Sequence, residues 1–116
     1  MPGVTGNPNQ HVAVFQLSSA AAAVGEITGI DKFDRCVFVI SGLTAETIDV
    51  TGLVYGTVYT AAIRPINVNT GAVEAANSAL ENGTFLISPL AVSSLKFTKS
   101  AASETVTISV NLSNRN

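Results

Sequence analysis

A chain of 116 residues with a formal net charge of -2 is one domain's worth of protein, large enough to bury a core without disulfide or metal staples. Charged residues make up only 12% and hydrophobic ones 47%, against about 25% charged in an average soluble domain, so Thr, Ser, Asn, Gly and Ala must cover most of the surface. The scattered Lys32, Arg35, Arg64, Lys96, Lys99 and Arg115 form no stripe to neutralise phosphates, the single Cys36 excludes an intrachain disulfide, and no run of about 18 apolar residues is present to span a membrane.

Residues 1–10 carry Pro2, Gly3, Gly6 and Pro8 around Val4 without apolar periodicity, and read as an extended arm preceding a single domain over residues 11–116. The segment has neither a basic region nor an apolar run, so no signal peptide is expected, and Cys36 points to synthesis in a reducing cytoplasm. Val12-Ala13-Val14-Phe15-Gln16-Leu17, rich in β-branched and aromatic residues, predicts the first strand. Ser18 to Gly25 holds four consecutive alanines, which favour helix. Its continuation Val24-Gly25 and Ile27-Thr28-Gly29 tips the reading toward an extended segment.

Asp31-Lys32-Phe33-Asp34-Arg35 is the densest charge cluster and reads as a solvated turn with internal Asp–Lys and Asp–Arg pairing. Cys36-Val37-Phe38-Val39-Ile40 follows as a continuous apolar run, the pattern of a central strand covered on both faces. In Thr47-Ile48-Asp49-Val50-Thr51 alternation returns, with Ile48 and Val50 inward. Thr57 to Val68 reads as the longest strand, but Pro65 cannot donate to a ladder, so the strand lies at an edge or breaks there into a bulge or sheet crossing. Asn69-Thr70-Gly71 is a turn. Ala72 to Glu81 spaces Val73, Ala76 and Leu80 as a short helix would, with an irregular segment as the alternative because Asn77-Ser78 interrupts it.

The last third is the most explicit. Asn82-Gly83 reads as a turn opening Thr84-Phe85-Leu86-Ile87-Ser88, which Pro89 ends; Ser94-Leu95-Lys96-Phe97-Thr98 alternates; and Val106, Ile108, Val110 and Leu112 share one face of the final strand. Joined by short polar turns, these three predict an antiparallel meander with one dry face. The whole chain predicts an all-β fold, an antiparallel β-sandwich of jelly-roll or immunoglobulin-like type with about seven or eight strands.

Chemistry is harder to find. His11 is the single imidazole, and neither it nor Cys36 sits in a nucleophile-elbow or papain-like context, so a catalytic dyad is not expected and no catalytic residue is assigned. Glu26, Asp31 and Asp34 lack the spacing of a calcium loop, so neither metal nor cofactor is expected. Glu46 and Asp49, three apart, would point to opposite faces of a strand. Arg64 stands alone among apolar neighbours, either reaching to solvent from an edge or making an intersubunit contact. Tyr55 and Tyr59 are core or interface aromatics, with sugar stacking as the alternative. Small polar side chains lose little rotamer entropy when another protein packs on them, which suits a subunit held in an assembly.

Ile48-Asp49-Val50-Thr51-Gly52, the Tyr59-to-Val68 segment, Asn82-Gly83-Thr84-Phe85-Leu86-Ile87, Leu95-Lys96-Phe97 and Thr105-Val106-Thr107-Ile108-Ser109-Val110 together resemble the small β-sandwich virion proteins of tailed bacteriophages, most of all the capsid decoration, or cement, proteins. The resemblance covers the last two thirds of the chain and lies in style, without a fingerprint residue. It implies a non-enzymatic homotrimer on the outside of a phage head, with the major capsid protein as partner and no nucleic acid, membrane or small-molecule substrate. Pro2, Val4, Pro8, Tyr55, Tyr59 and Arg64 are then the candidate interface residues. A receptor- or glycan-binding module of a tail fibre or baseplate is the alternative.

Overall fold

The structure, a computed structural model, describes residues 10–17, 23–44, 46–54, 61–75, 79–100 and 105–114. Among these the strands are β1 (Gln10–Leu17), β2 (Val24–Thr28), β3 (Arg35–Ser41), β4 (Ile48–Leu53), β5 (Ala61–Ala62), β6 (Ile66–Asn67), β7 (Gly83–Ile87), β8 (Ser94–Lys99) and β9 (Val106–Ser113). They form a five-stranded sheet of order β1-β9-β3-β7-β6 and a four-stranded sheet of order β2-β8-β4-β5, antiparallel throughout. The fold is an all-β, two-sheet sandwich.

The period-two pattern decides which residues line the interior. Val106, Ile108, Val110 and Leu112 of β9 are fully buried, as are Phe38 and Ile40 of β3, Ile48 and Val50 of β4, and Leu95 and Phe97 of β8. All five phenylalanines belong to this core or pack against it, and four of them meet ring to ring. Phe38 and Phe85 are register partners on neighbouring strands with ring centroids 5.4 Å apart. Phe97, from the facing sheet, meets Phe38 edge-on at 5.2 Å and Phe15 at 6.1 Å, so one ring ties both sheets together.

The predicted meander does not form. β7 pairs with β3 and β6, β8 with β2 and β4, and β9 with β1 and β3, so the three strands closing the chain alternate between the sheets and none pairs with another. Alternation in sequence fixes which face a side chain takes, not which strand lies alongside. The connection 88–93 crosses the sandwich instead of turning back within one sheet, and β8 and β9 lie in different sheets.

Asn82-Gly83, read as a turn opening the next strand, is a bend at Asn82 alone. Gly83 is the first residue of β7, and Asn82 acts through its side chain: the Leu43 N–H donates to Asn82 Oδ1 at 2.9 Å, and Asn82 Nδ2 donates to the Leu43 carbonyl at 2.8 Å. A side-chain amide here takes the part of a neighbouring strand's peptide group.

Pro65 marks a sheet crossing. The chain leaves the four-stranded sheet at β5 and enters the five-stranded sheet at β6, with Ile63 and Pro65 buried and Arg64 exposed between them. The part of the expected long strand over residues 57–60 lies outside the described residues. Asn69-Thr70-Gly71 is the expected turn: Gly71 sits at φ 76°, the left-handed region that glycine enters without strain, and Asn67 Oδ1 accepts from the N–H groups of Asn69 and Thr70.

Between Ala72 and Glu81 the described residues hold no helix. Val73 bridges Ile66 and Leu80 bridges Ile48 as isolated pairs, because bridging to two different sheets secures these backbone groups where a helix of so few residues, for all its alanines, could not sustain itself. β3 is central, as expected, but it is not covered on both faces: Val37 is half-buried and Val39 is exposed. Its continuous apolar run therefore presents a bare valine row to the outside.

Candidate interaction surface

The two outer faces of the sandwich differ in chemistry. On the four-stranded sheet, Val24, Glu26 and Thr28 of β2, Lys96 and Thr98 of β8, and Asp49 and Thr51 of β4 alternate outward. Glu26 stands directly across from Lys96, and Asp49 across from Thr98. Opposite charges at facing positions and a further carboxylate make this a solvated face.

The five-stranded sheet is the reverse. Its outward residues are Val12, Val14 and Gln16 on β1, Thr107, Ser109 and Asn111 on β9, Arg35, Val37, Val39 and Ser41 on β3, Thr84 and Leu86 on β7, and Ile66 on β6. Register lines them into rows: Val14, Ser109, Val39 and Thr84 form one, and Val12, Asn111, Val37, Leu86 and Ile66 the next. Arg35 is the one charge on this face among the described residues. Val12 and Val14 are each 61% exposed and Val39 39%. Aliphatic groups set among small uncharged polar ones cost little to desolvate, which is the composition of a surface another protein can cover.

Nothing comparable gathers reactive groups among the described residues. His11 and Cys36 both oppose Leu112, from β1 and β3 on either side of β9, so their backbones lie two strand spacings, about 10 Å, apart. His11 is exposed and stacks on Phe33 at 6.3 Å. Cys36 is completely buried, and desolvation pushes its thiol up to about 12, so it holds its proton and is a poor nucleophile. Two results are expected. Thiol reagents will label Cys36 only as the protein unfolds. Above about pH 9, where the unfolded chain releases this proton and the folded one retains it, stability will fall by up to about 1.4 kcal/mol per pH unit toward pH 12, a slope that denaturation of a Cys36→Ala variant will not show.

No group of three or more metal-ligating side chains occurs among the described residues. The expected Asp34–Arg35 pairing is absent: Asp34 Oδ1 is buried without a partner, because Arg35 projects from the outer face. Lys32 lies over the Phe33 ring at 5.4 Å.

Arg64 reaches solvent at the sheet crossing and borders an open cleft of about 340 Å³ with Val54, Ile63, Ile87, Pro89 and Val92. Pro2, Val4, Pro8, Tyr55 and Tyr59 lie outside the described residues.

The sequence reading missed one feature entirely. Lys99 and Glu46 are both buried and pair at 3.2 Å. The signal was available: Leu95 and Phe97 point inward, so a strand running one residue further sends Lys99 the same way, and Glu46, Ile48 and Val50 continue a second inward row. A cleft of about 230 Å³ opens beside this pair, lined by Leu43, Thr44, Glu46, Thr47, Glu81 and Asn82.

No protein-family model matches the chain, and no curated protein matches it in sequence. Among solved structures, the crystal structure of the SPBc2 prophage-derived protein YomS superposes with a TM-score of 0.66, covering 89% of this chain and 93% of that one. The chain has the fold of YomS. At 15% sequence identity the likeness to YomS is one of architecture: the same sandwich, spanning nearly the full length of both chains, built from largely different side chains.

Proposed function

We propose that this chain is a non-enzymatic virion structural protein, a capsid decoration or cement subunit that binds the outside of a phage head and stabilises it as a homotrimer. The observation that carries the reading is the asymmetry between the outer faces: one bears Glu26, Lys96 and Asp49, the other exposed valines among Ser, Thr and Asn with Arg35 at the end of its central strand. A protein free in solution gains nothing from such a division, whereas a subunit laid on a protein shell needs one dry and one wet face. The prophage origin of YomS and the likeness in style to cement proteins agree with this assignment.

Burial of the valine rows against the major capsid protein supplies the hydrophobic part of the affinity, at about 25 cal/mol per Å² of apolar surface removed from water. The protein is made in the host cytoplasm and ends on the capsid surface. The test is cosedimentation of the purified protein with expanded, DNA-filled heads, alongside its mass in solution. Saturable binding by a trimer supports the reading; a monomer that stays in the supernatant and binds host envelope polysaccharide overturns it in favour of a receptor-binding module.

A further inference from the structure

The described strands leave four sheet edges, and three are guarded. β5 and β6 are two residues each and are joined by the sheet crossing, and β2 carries the exposed, charged Glu26. Short edge strands and charged edge residues are the ordinary defences against unwanted pairing. β1 has none. It is eight residues long, Gln10–Leu17, with no Asp, Glu, Lys, Arg or Pro. It is paired with β9 on one side, and no described strand pairs with the other.

We propose that the free edge of β1 pairs with β1 of a second copy of this chain, antiparallel and about a two-fold axis through Ala13, joining two five-stranded sheets into one. Self-complementarity argues for a second copy as the occupant. A two-fold contact places each residue of the strand against another from the same strand, and β1 offers no like charges to oppose. Register follows from face. Directly opposed residues share a face, so the axis must pass through a residue rather than between two, since otherwise outward Val12 would meet inward Phe15. Centred on Ala13, Val12 of each copy faces Val14 of the other, and His11 faces Phe15. The four valines, each 61% exposed in the single chain, then form one cross-strand cluster on the outer face. The contact is two-fold and closed, separate from any three-fold contact within a trimer, and needs no capsid.

The experiment is sedimentation equilibrium of the full chain at high protein concentration, because a strand-to-strand junction falls at the small end of specific interfaces. Val12 and Val14 project to solvent, so substitutions there leave the core untouched. Wild type is expected at twice the mass of the V12K/V14K variant, in which introduced lysines face one another across the axis. The V12K/V14E variant sets lysine against glutamate in this register and is expected to regain the wild-type mass. Equal masses for wild type and V12K/V14K overturn the proposal, and so does a V12K/V14E protein that stays at the lower mass. Head binding plays no part in the readout, so failure here is distinct from failure of the decoration role.

Discussion

Replacing Lys99 with methionine will destabilise the domain by about 3–5 kcal/mol, a large part of the 5–15 kcal/mol that holds a typical domain folded. The loss comes less from the missing attraction than from the carboxylate left behind. Glu46 is buried, and with its partner 3.2 Å away removed the folded state must hold an uncompensated charge or protonate it. The reciprocal change, Glu46→Leu, will cost a similar amount by stranding the ammonium. Changing both together, Glu46→Leu with Lys99→Met, will return most of the stability, since an apolar pair of similar volume avoids desolvating either charge. Urea denaturation of the four proteins closes a double-mutant cycle. If the double variant loses the sum of the single losses, the two groups do not act as a buried pair.

A loss of about 3–5 kcal/mol is also expected for Phe97→Ala. Phe97 is fully buried at the centre of the four-stranded sheet's inner face and touches both Phe38 and Phe15 of the facing sheet. Truncation leaves a ring-sized void between layers, and close-packed strands relax only partly into it. Phe97→Leu keeps most of the volume and will cost less than half as much. Thermal denaturation separates the cases: equal losses for the two variants would mean that the site collapses freely and that the ring does not couple the sheets.

These residues mark where sequence reading succeeds. The side-chain period of a strand is local, so Val106, Ile108, Val110 and Leu112 could be assigned inward without knowing any partner, and the coordinates bury all four. Pro65, through its missing N–H, announced an edge, a bulge or a sheet crossing, and the crossing is the one that forms. What stayed hidden was non-local. Only β4–β5 and β6–β7 pair neighbours in sequence among the described strands; every other pairing joins segments with another strand between them, and nothing in Ser94–Lys99 states that it lies beside Val24–Thr28.

The outer valine face was hidden for a related reason. Read alone, Cys36 to Ile40 looks like a strand covered on both sides, and only the sheet order reveals that nothing described covers Val37 and Val39. The same run that misled the fold reading is what identifies the candidate surface. Lys99 failed differently: its inward direction follows from alternation, but its charge argued against taking that direction, and only Glu46, distant in sequence, makes it affordable.

The decisive measurement compares two surface changes to lysine for occupancy on DNA-filled heads, Val39→Lys on the valine face and Asp49→Lys on the charged face. Both positions are exposed, and both variants will melt close to wild type, within the roughly ±0.5 kcal/mol usual for surface substitutions. The account predicts that Val39→Lys empties the heads of this protein while Asp49→Lys leaves occupancy unchanged. Full occupancy by Val39→Lys, or loss by Asp49→Lys alone, would contradict it.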